Sequence, residues 1–322
     1  MLTRRHFIRM SAALVFCERA VRTQAASPVK ESHILDANWP NLSSASYPER
    51  CQMSGIALGK DGNILALNRG ENHWMPSSSF KKQLIQKPAV LVIDPKSGEM
   101  IRSWGAGLFM MPHQISVAPD GSVWIVDCGL NKVFKFDSNG NKLMELGSAE
   151  IGFKMPTDVV VLSDGSFVVS DGYTNSRVVK FDAGGKLLAA WGTKGKEPLQ
   201  FQTPHSITRD DHDLLYIADR ENHRVQVLNA KGELQAIWTN VERPITLRHS
   251  GGSIFILSNL DAANGIVRQF NKQGEVITSF HTKPSNSTED FEWPHGLAIA
   301  PSGDVYVGFT LSGRRVQRYR KI

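Results

Sequence analysis

Apolar runs of four to six residues, many of them alternating with polar positions, recur along this chain between Asp-Gly and Asn-Gly pairs. Alternation at period two reads as strand, and such dipeptides between runs read as tight hairpin turns. Residues 112–147 show the unit whole, with runs at 112–117, 122–127, 132–137 and 142–147 and turns at Asp120-Gly121 and Asn139-Gly140. That order predicts a four-stranded antiparallel meander. The unit begins again near Ser54, Pro112, Pro156, Pro204, Pro244 and Pro294, a period of roughly 40 to 58 residues that suits propeller blades. Six such units predict an all-β, six-bladed propeller over residues 27–322, closed radially so that few sheet edges stay exposed. The last unit offers three strands before Ile322, so closure needs a strand from elsewhere, and residues 32–35 are the candidate.

A second pattern lies on top of the first. Met111-Pro112-His113, Thr203-Pro204-His205 and Trp293-Pro294-His295 each open an apolar-alternating run, and their histidines are 92 and 90 residues apart. They fall on the first strands of the second, fourth and sixth units. The innermost strands of a propeller line its axis, and alternate blades of six stand about 120° apart around it. Gly55, Thr157 and Ile245 take the matching place in the other three units. Three neutral imidazoles converging on one axis would suit Zn²⁺ with a fourth position open to water or substrate. Imidazole also suits copper, iron, cobalt or nickel, and the other reading is three histidines hydrogen-bonded in a water-filled channel. Each proline fixes φ just before its histidine and helps to aim it.

Composition changes this picture little. No apolar run reaches the roughly 18 residues of a membrane span. The formal charge is +6, but the first 26 residues carry five arginines against Glu18 alone, so the basicity says little about nucleic acid, which is not expected as a partner. Arg4-Arg5 before Phe7-Ile8, a modest apolar stretch and small residues at Ala25 and Ala26 resemble a bacterial twin-arginine export signal over residues 1–26. The expected location is therefore periplasmic or secreted, and the expected state a monomer. Beyond the signal only Cys51 and Cys128 remain, compatible with one disulfide or with two inert thiols. Asp127, Asp171 and Asp219 end second strands and are expected to cap the turns that follow.

Asp219-Arg220-Glu221-Asn222-His223-Arg224-Val225 resembles the NHL repeat, in which His223 belongs to turn chemistry. Over residues 50–320 the chain is similar to the peptidyl-α-hydroxyglycine α-amidating lyases. The matching motifs are Pro112-His113, Asp158-Val159, residues 170–177, Pro204-His205-Ser206, residues 218–222, Pro294-His295 and the loop Arg69-Gly70-Glu71-Asn72-His73-Trp74. The resemblance implies a zinc held by His113, His205 and His295, with Arg69, Tyr173 and Arg220 contacting substrate and Tyr173 and Arg69 catalytic. It implies cleavage of a small or peptidyl α-hydroxyglycine into an amide and glyoxylate. Tyr173 would serve as base, with arginine lowering its pKa and gripping a carboxylate. The family also places an aspartate after its third zinc histidine, on a channel calcium. Gly296 stands there instead and leaves only backbone oxygens, such as those of Ile56 and Ile115, so Ca²⁺ is not expected. The competing readings are a non-catalytic NHL propeller that binds a peptide or protein, and a calcium-dependent lactonase or esterase.

Overall fold

The computed structural model describes residues 31–40, 52–74, 80–147, 149–261, 264–282, 292–311 and 316–322. The export segment at 1–26 and Cys51 lie outside the described residues. Cys128 is a buried free thiol.

Six four-stranded antiparallel sheets form the blades of a propeller. Blade 1 runs from Met53–Leu58 to Met100–Trp104, blade 2 from Pro112–Val117 to Lys142–Leu146, and blade 3 from Asp158–Val161 to Leu187–Trp191. Blade 4 runs from Pro204–Arg209 to Leu234–Trp238, and blade 5 from Arg243–Ser250 to Val276–Thr282. Blade 6 holds Glu292–Ile299, Val305–Leu311 and Val316–Lys321, and His33–Leu35 pairs antiparallel along its outer edge. An Arg318–Asp36 ion pair ties the two ends of the chain at that seam.

The period-two pattern explains how the blades stack. In blade 1, Leu65 and Leu67 point into a cluster shared with Ile115, Ile125 and Phe134 of blade 2. Their neighbours Ile64 and Ala66 point the other way, into a cluster with Ala298, Tyr306 and Val316 of blade 6. Every blade junction has one such cluster. Both faces of each sheet are therefore covered, and the inner strands are apolar on both sides, as buried sheets require. Outer strands face water, with Leu143 and Leu188 exposed.

Fourth-strand tryptophans lock neighbouring blades. The indole of Trp191 in blade 3 lies against the hairpin glycine Gly232 of blade 4, where φ is +85° and a Cβ would sit 2.2 Å from the ring. Only glycine meets both conditions.

Candidate metal centre and its surroundings

Each histidine of the Pro-His motifs sits in a β-bulge. Pro112 pairs with Asp127 and Gln114 with Val126, which leaves His113 as the extra residue. Pro204 to Ser206 and Pro294 to Gly296 repeat the irregularity around His205 and His295. A bulge rotates one side chain out of the pleat and so re-aims it. Here it turns the imidazole towards the axis. The same bulge in blade 1 falls on Ser54, and in blade 5 on Ile245. Ser54, not Gly55, is thus the blade 1 counterpart of the histidines.

The starts of the inner strands work in pairs around the ring. His113 Nδ1 donates to the Thr157 carbonyl at 2.6 Å, His205 Nδ1 to the Ile245 carbonyl at 2.8 Å, and His295 Nδ1 to the Ser54 carbonyl at 2.6 Å. Blades 2, 4 and 6 donate; blades 3, 5 and 1 accept. A carbonyl can only accept, so Nδ1 carries the proton and each Nε2 presents a lone pair. The ring centroids are 4.8, 4.8 and 5.1 Å apart, and the nitrogens facing one another lie within 4.8 Å. Burial, reinforced by the other histidines and by Arg69 and Arg220, holds His113 and His205 well below the usual imidazole range. Burial and Arg69 push His295 down to about 3. All three are neutral at neutral pH.

The Tyr173 hydroxyl lies between two of these lone pairs, 2.9 Å from His113 Nε2 and 3.0 Å from His205 Nε2. It has one proton to give, so two of the three lone pairs share a single donor. That surplus of neutral nitrogen lone pairs fits a borderline cation such as Zn²⁺. Burial pushes the Tyr173 hydroxyl up from its ordinary value, and Arg220 and Arg69 only oppose it. The expected net lowering by arginine is corrected here: removing the ring from water costs the phenolate more than two cations return.

Antiparallel pairing explains why the other site residues come where they do. The end of each second strand lies beside the start of its first strand, at the level of the histidines. Arg69 directly follows the second strand of blade 1, Arg220 follows that of blade 4, and Tyr173 stands two residues beyond that of blade 3. Arg69 is buried, with Nη1 on Gln52 Oε1 at 3.0 Å and Nε on the Pro112 carbonyl at 3.3 Å. Among the described residues no carboxylate pairs with it, and burial lowers its pKa. Trp74 stacks on Tyr173 at 5.2 Å, with the Arg69 guanidinium 5.6 Å from its own ring. Arg220 lies 5.4 Å over the other side of the phenol and donates to Glu221, which also binds Arg243. His73 is exposed. His223 caps the turn after Asp219 with φ of 52°.

The three aspartates do more than cap the turn after the second strand. Asp127 accepts from Leu130 N, and also from Met110 N and Met111 N just before Pro112-His113. Asp219 accepts from Gln202 N before Pro204-His205, and Asp171 from Lys154 N before Thr157. Each clamps the segment that leads into its own inner strand. Gln52 and the bulge carbonyls left no sequence signal, because their role lies in backbone direction.

The NHL repeat family matches residues 153–181 and 201–228, in blades 3 and 4. The chain is 32% identical to the "probable peptidyl-alpha-hydroxyglycine alpha-amidating lyase" of Caenorhabditis elegans, a match covering 80% of this chain and 79% of that one. It is 32% identical to the peptidylglycine alpha-amidating monooxygenase of Rattus norvegicus over 87% of this chain, and spans about a third (31%) of that longer protein. Among solved structures, a streptogramin B lyase superposes with a TM-score of 0.60 at 13% identity, covering 90% of this chain and 98% of that one, a likeness of fold alone. The match to the Caenorhabditis elegans protein extends over most of both chains. The chain belongs to the peptidyl-alpha-hydroxyglycine alpha-amidating lyase family.

Proposed function

We propose that the protein is an exported, zinc-dependent lyase that cleaves the N–C bond of an α-hydroxyglycine-type substrate, small or peptidyl, into an amide and glyoxylate. The observation that carries this reading is the Tyr173 hydroxyl set between two histidine lone pairs, beside a buried arginine that pairs with no carboxylate among the described residues. His113, His205 and His295 would hold the metal, their rings fixed by Nδ1 bonds to three neighbouring blades. When bound, zinc lowers the pKa of an attached hydroxyl or water.

The protein's own groups do the rest. Arg69, short of an anion, takes the substrate carboxylate and fixes the α-carbon near Tyr173. Arg220 lies on the ring and stabilises the phenolate against the cost of burial. Tyr173 as phenolate removes the hydroxyl proton, and the released O–H pair forms the carbonyl of glyoxylate. The N–C bond breaks with its pair left on nitrogen, which recovers the proton from Tyr173 to give the amide. Trp74, stacked on the same phenol, keeps water from that side.

The test is glyoxylate release from α-hydroxyhippurate by the zinc-loaded protein. Release that His205→Ala abolishes is expected. Absence of glyoxylate above background, with wild type and His205→Ala alike, overturns the assignment and leaves the fold untouched.

A further inference from the structure

Directly below the histidines the channel is crossed by a charged side chain from blade 5. Arg248 lies on an inner strand whose other members are mostly apolar or hydroxyl-bearing. Its Nη1 donates to Asp158 Oδ2 at 3.2 Å and to the Leu247 carbonyl at 2.8 Å, while Nη2 donates to Gln114 Oε1 at 3.1 Å and to the Ile115 carbonyl at 3.3 Å. The acceptors are four oxygens, one of them a fully buried carboxylate, drawn from blades 2, 3 and 5. Ser206 of blade 4 adds its hydroxyl to Asp158 at 2.7 Å. Gln114 Nε2 reaches Thr246 at 2.9 Å, and Thr246 in turn donates to the His295 carbonyl at 2.5 Å.

Hard oxygens that include a carboxylate are the kind of donor a calcium ion uses, roughly six to eight at a time. The guanidinium already sits among them. A dication at the Ile115 carbonyl would meet that fixed positive charge. No carboxylate can be added at Gly296 either, because a Cβ there would lie 2.9 Å from Gly55 and Ile56 backbone atoms. Calcium does not fit this channel.

We infer that Arg248 is the channel's built-in cation: it bridges blades 2, 3 and 5, neutralises Asp158, and makes the histidine layer independent of a structural metal ion. Gln114 and Ser206 directly follow the ligand-position residues His113 and His205, so the plug holds those two strands in place, and Thr246 holds the third. Arg248 is thus a structural bridge beneath the metal centre. It also closes the axis. A cavity of about 440 Å³ opens on the opposite face, lined by Arg248 with Lys60, Arg209, Asp211 and His249, and none of the three histidines lines it.

Thermal unfolding of the zinc-free full chain with CaCl₂ or EGTA provides the test. The wild-type Tm should not respond to either, and Arg248→Ala should melt several degrees lower and regain part of that loss in millimolar CaCl₂. The regain should vanish in Arg248→Ala with Asp158→Asn, because the carboxylate is then gone. Wild-type protein that carries stoichiometric calcium by elemental analysis, or a Tm of Arg248→Ala that is unchanged or that CaCl₂ does not raise, overturns the inference. If Arg248→Ala fails to fold, the elemental analysis and the EGTA response of the wild type still decide it.

Discussion

Two polar layers lie one above the other on the axis of this propeller, and they are built on opposite principles. In the lower layer, the acceptors of Asp158, Gln114 and Ile115 meet the donors of Arg248, and Ser206 and Thr246 complete the set. In the upper layer, two of three lone pairs share one phenolic proton and, among the described residues, no carboxylate pairs with Arg69. Burial of polar groups is costly unless they are paired, so the lower layer is what a stable channel needs. The upper layer carries the mismatch, and the mismatch is what a metal and an anionic substrate would satisfy. Function lies where the pairing is incomplete.

Substitutions can break this contrast in a graded way. His113→Ala should have the largest effect, lowering kcat/KM by on the order of 10³-fold or more and reducing bound zinc below one per chain, while the Tm of the metal-free protein stays close to wild type. Metal analysis and glyoxylate assay check both parts. Next, Tyr173→Phe should cut kcat by about 10²–10⁴-fold with zinc content retained, since it removes a proton acceptor and keeps the ring that Trp74 and Arg220 pack against. Arg69→Met should act mainly through substrate affinity. The lost charge-assisted bond, about 1.5–3 kcal/mol, corresponds to a rise in KM of roughly 10–100-fold for a carboxylate substrate and much less for its methyl ester.

The lower layer should answer differently. Ser206→Ala leaves Asp158 short of a donor and should cost about 1–3 kcal/mol in chemical denaturation, with turnover changed only a few-fold. At the surface, Glu145→Gln breaks the exposed pairs with Lys132 and Lys142 and should cost no more than about 1 kcal/mol. If Ser206→Ala cost activity as heavily as His113→Ala, the two layers would be one functional unit.

Much of the site was legible because propellers convert sequence spacing into geometry. His113, His205 and His295 fall on alternate blades, and a ring of six brings alternate blades to one axis whatever the details of packing. The positions of Arg69, Tyr173 and Arg220 after second strands place them beside the first-strand starts by antiparallel pairing alone. The alignment of Gly55 with the histidines failed by one residue, because Met53-Ser54 lacks the Pro-His pair that marks the position in blades 2, 4 and 6. The expected effect of arginine on Tyr173 failed in sign, because burial is a property of the assembled ring.

The sequence by itself determined the repeat, the alternation that covers both faces of every blade, and the three histidines on every second unit. These follow from local periodicity and from counting. The tertiary structure alone decided which carbonyl each Nδ1 would meet, that Arg69 would be buried with no carboxylate paired to it among the described residues, and that Arg248 would reach Asp158 across 90 positions of chain. Such contacts join blades distant in sequence, and their energies depend on how much water the closed ring excludes.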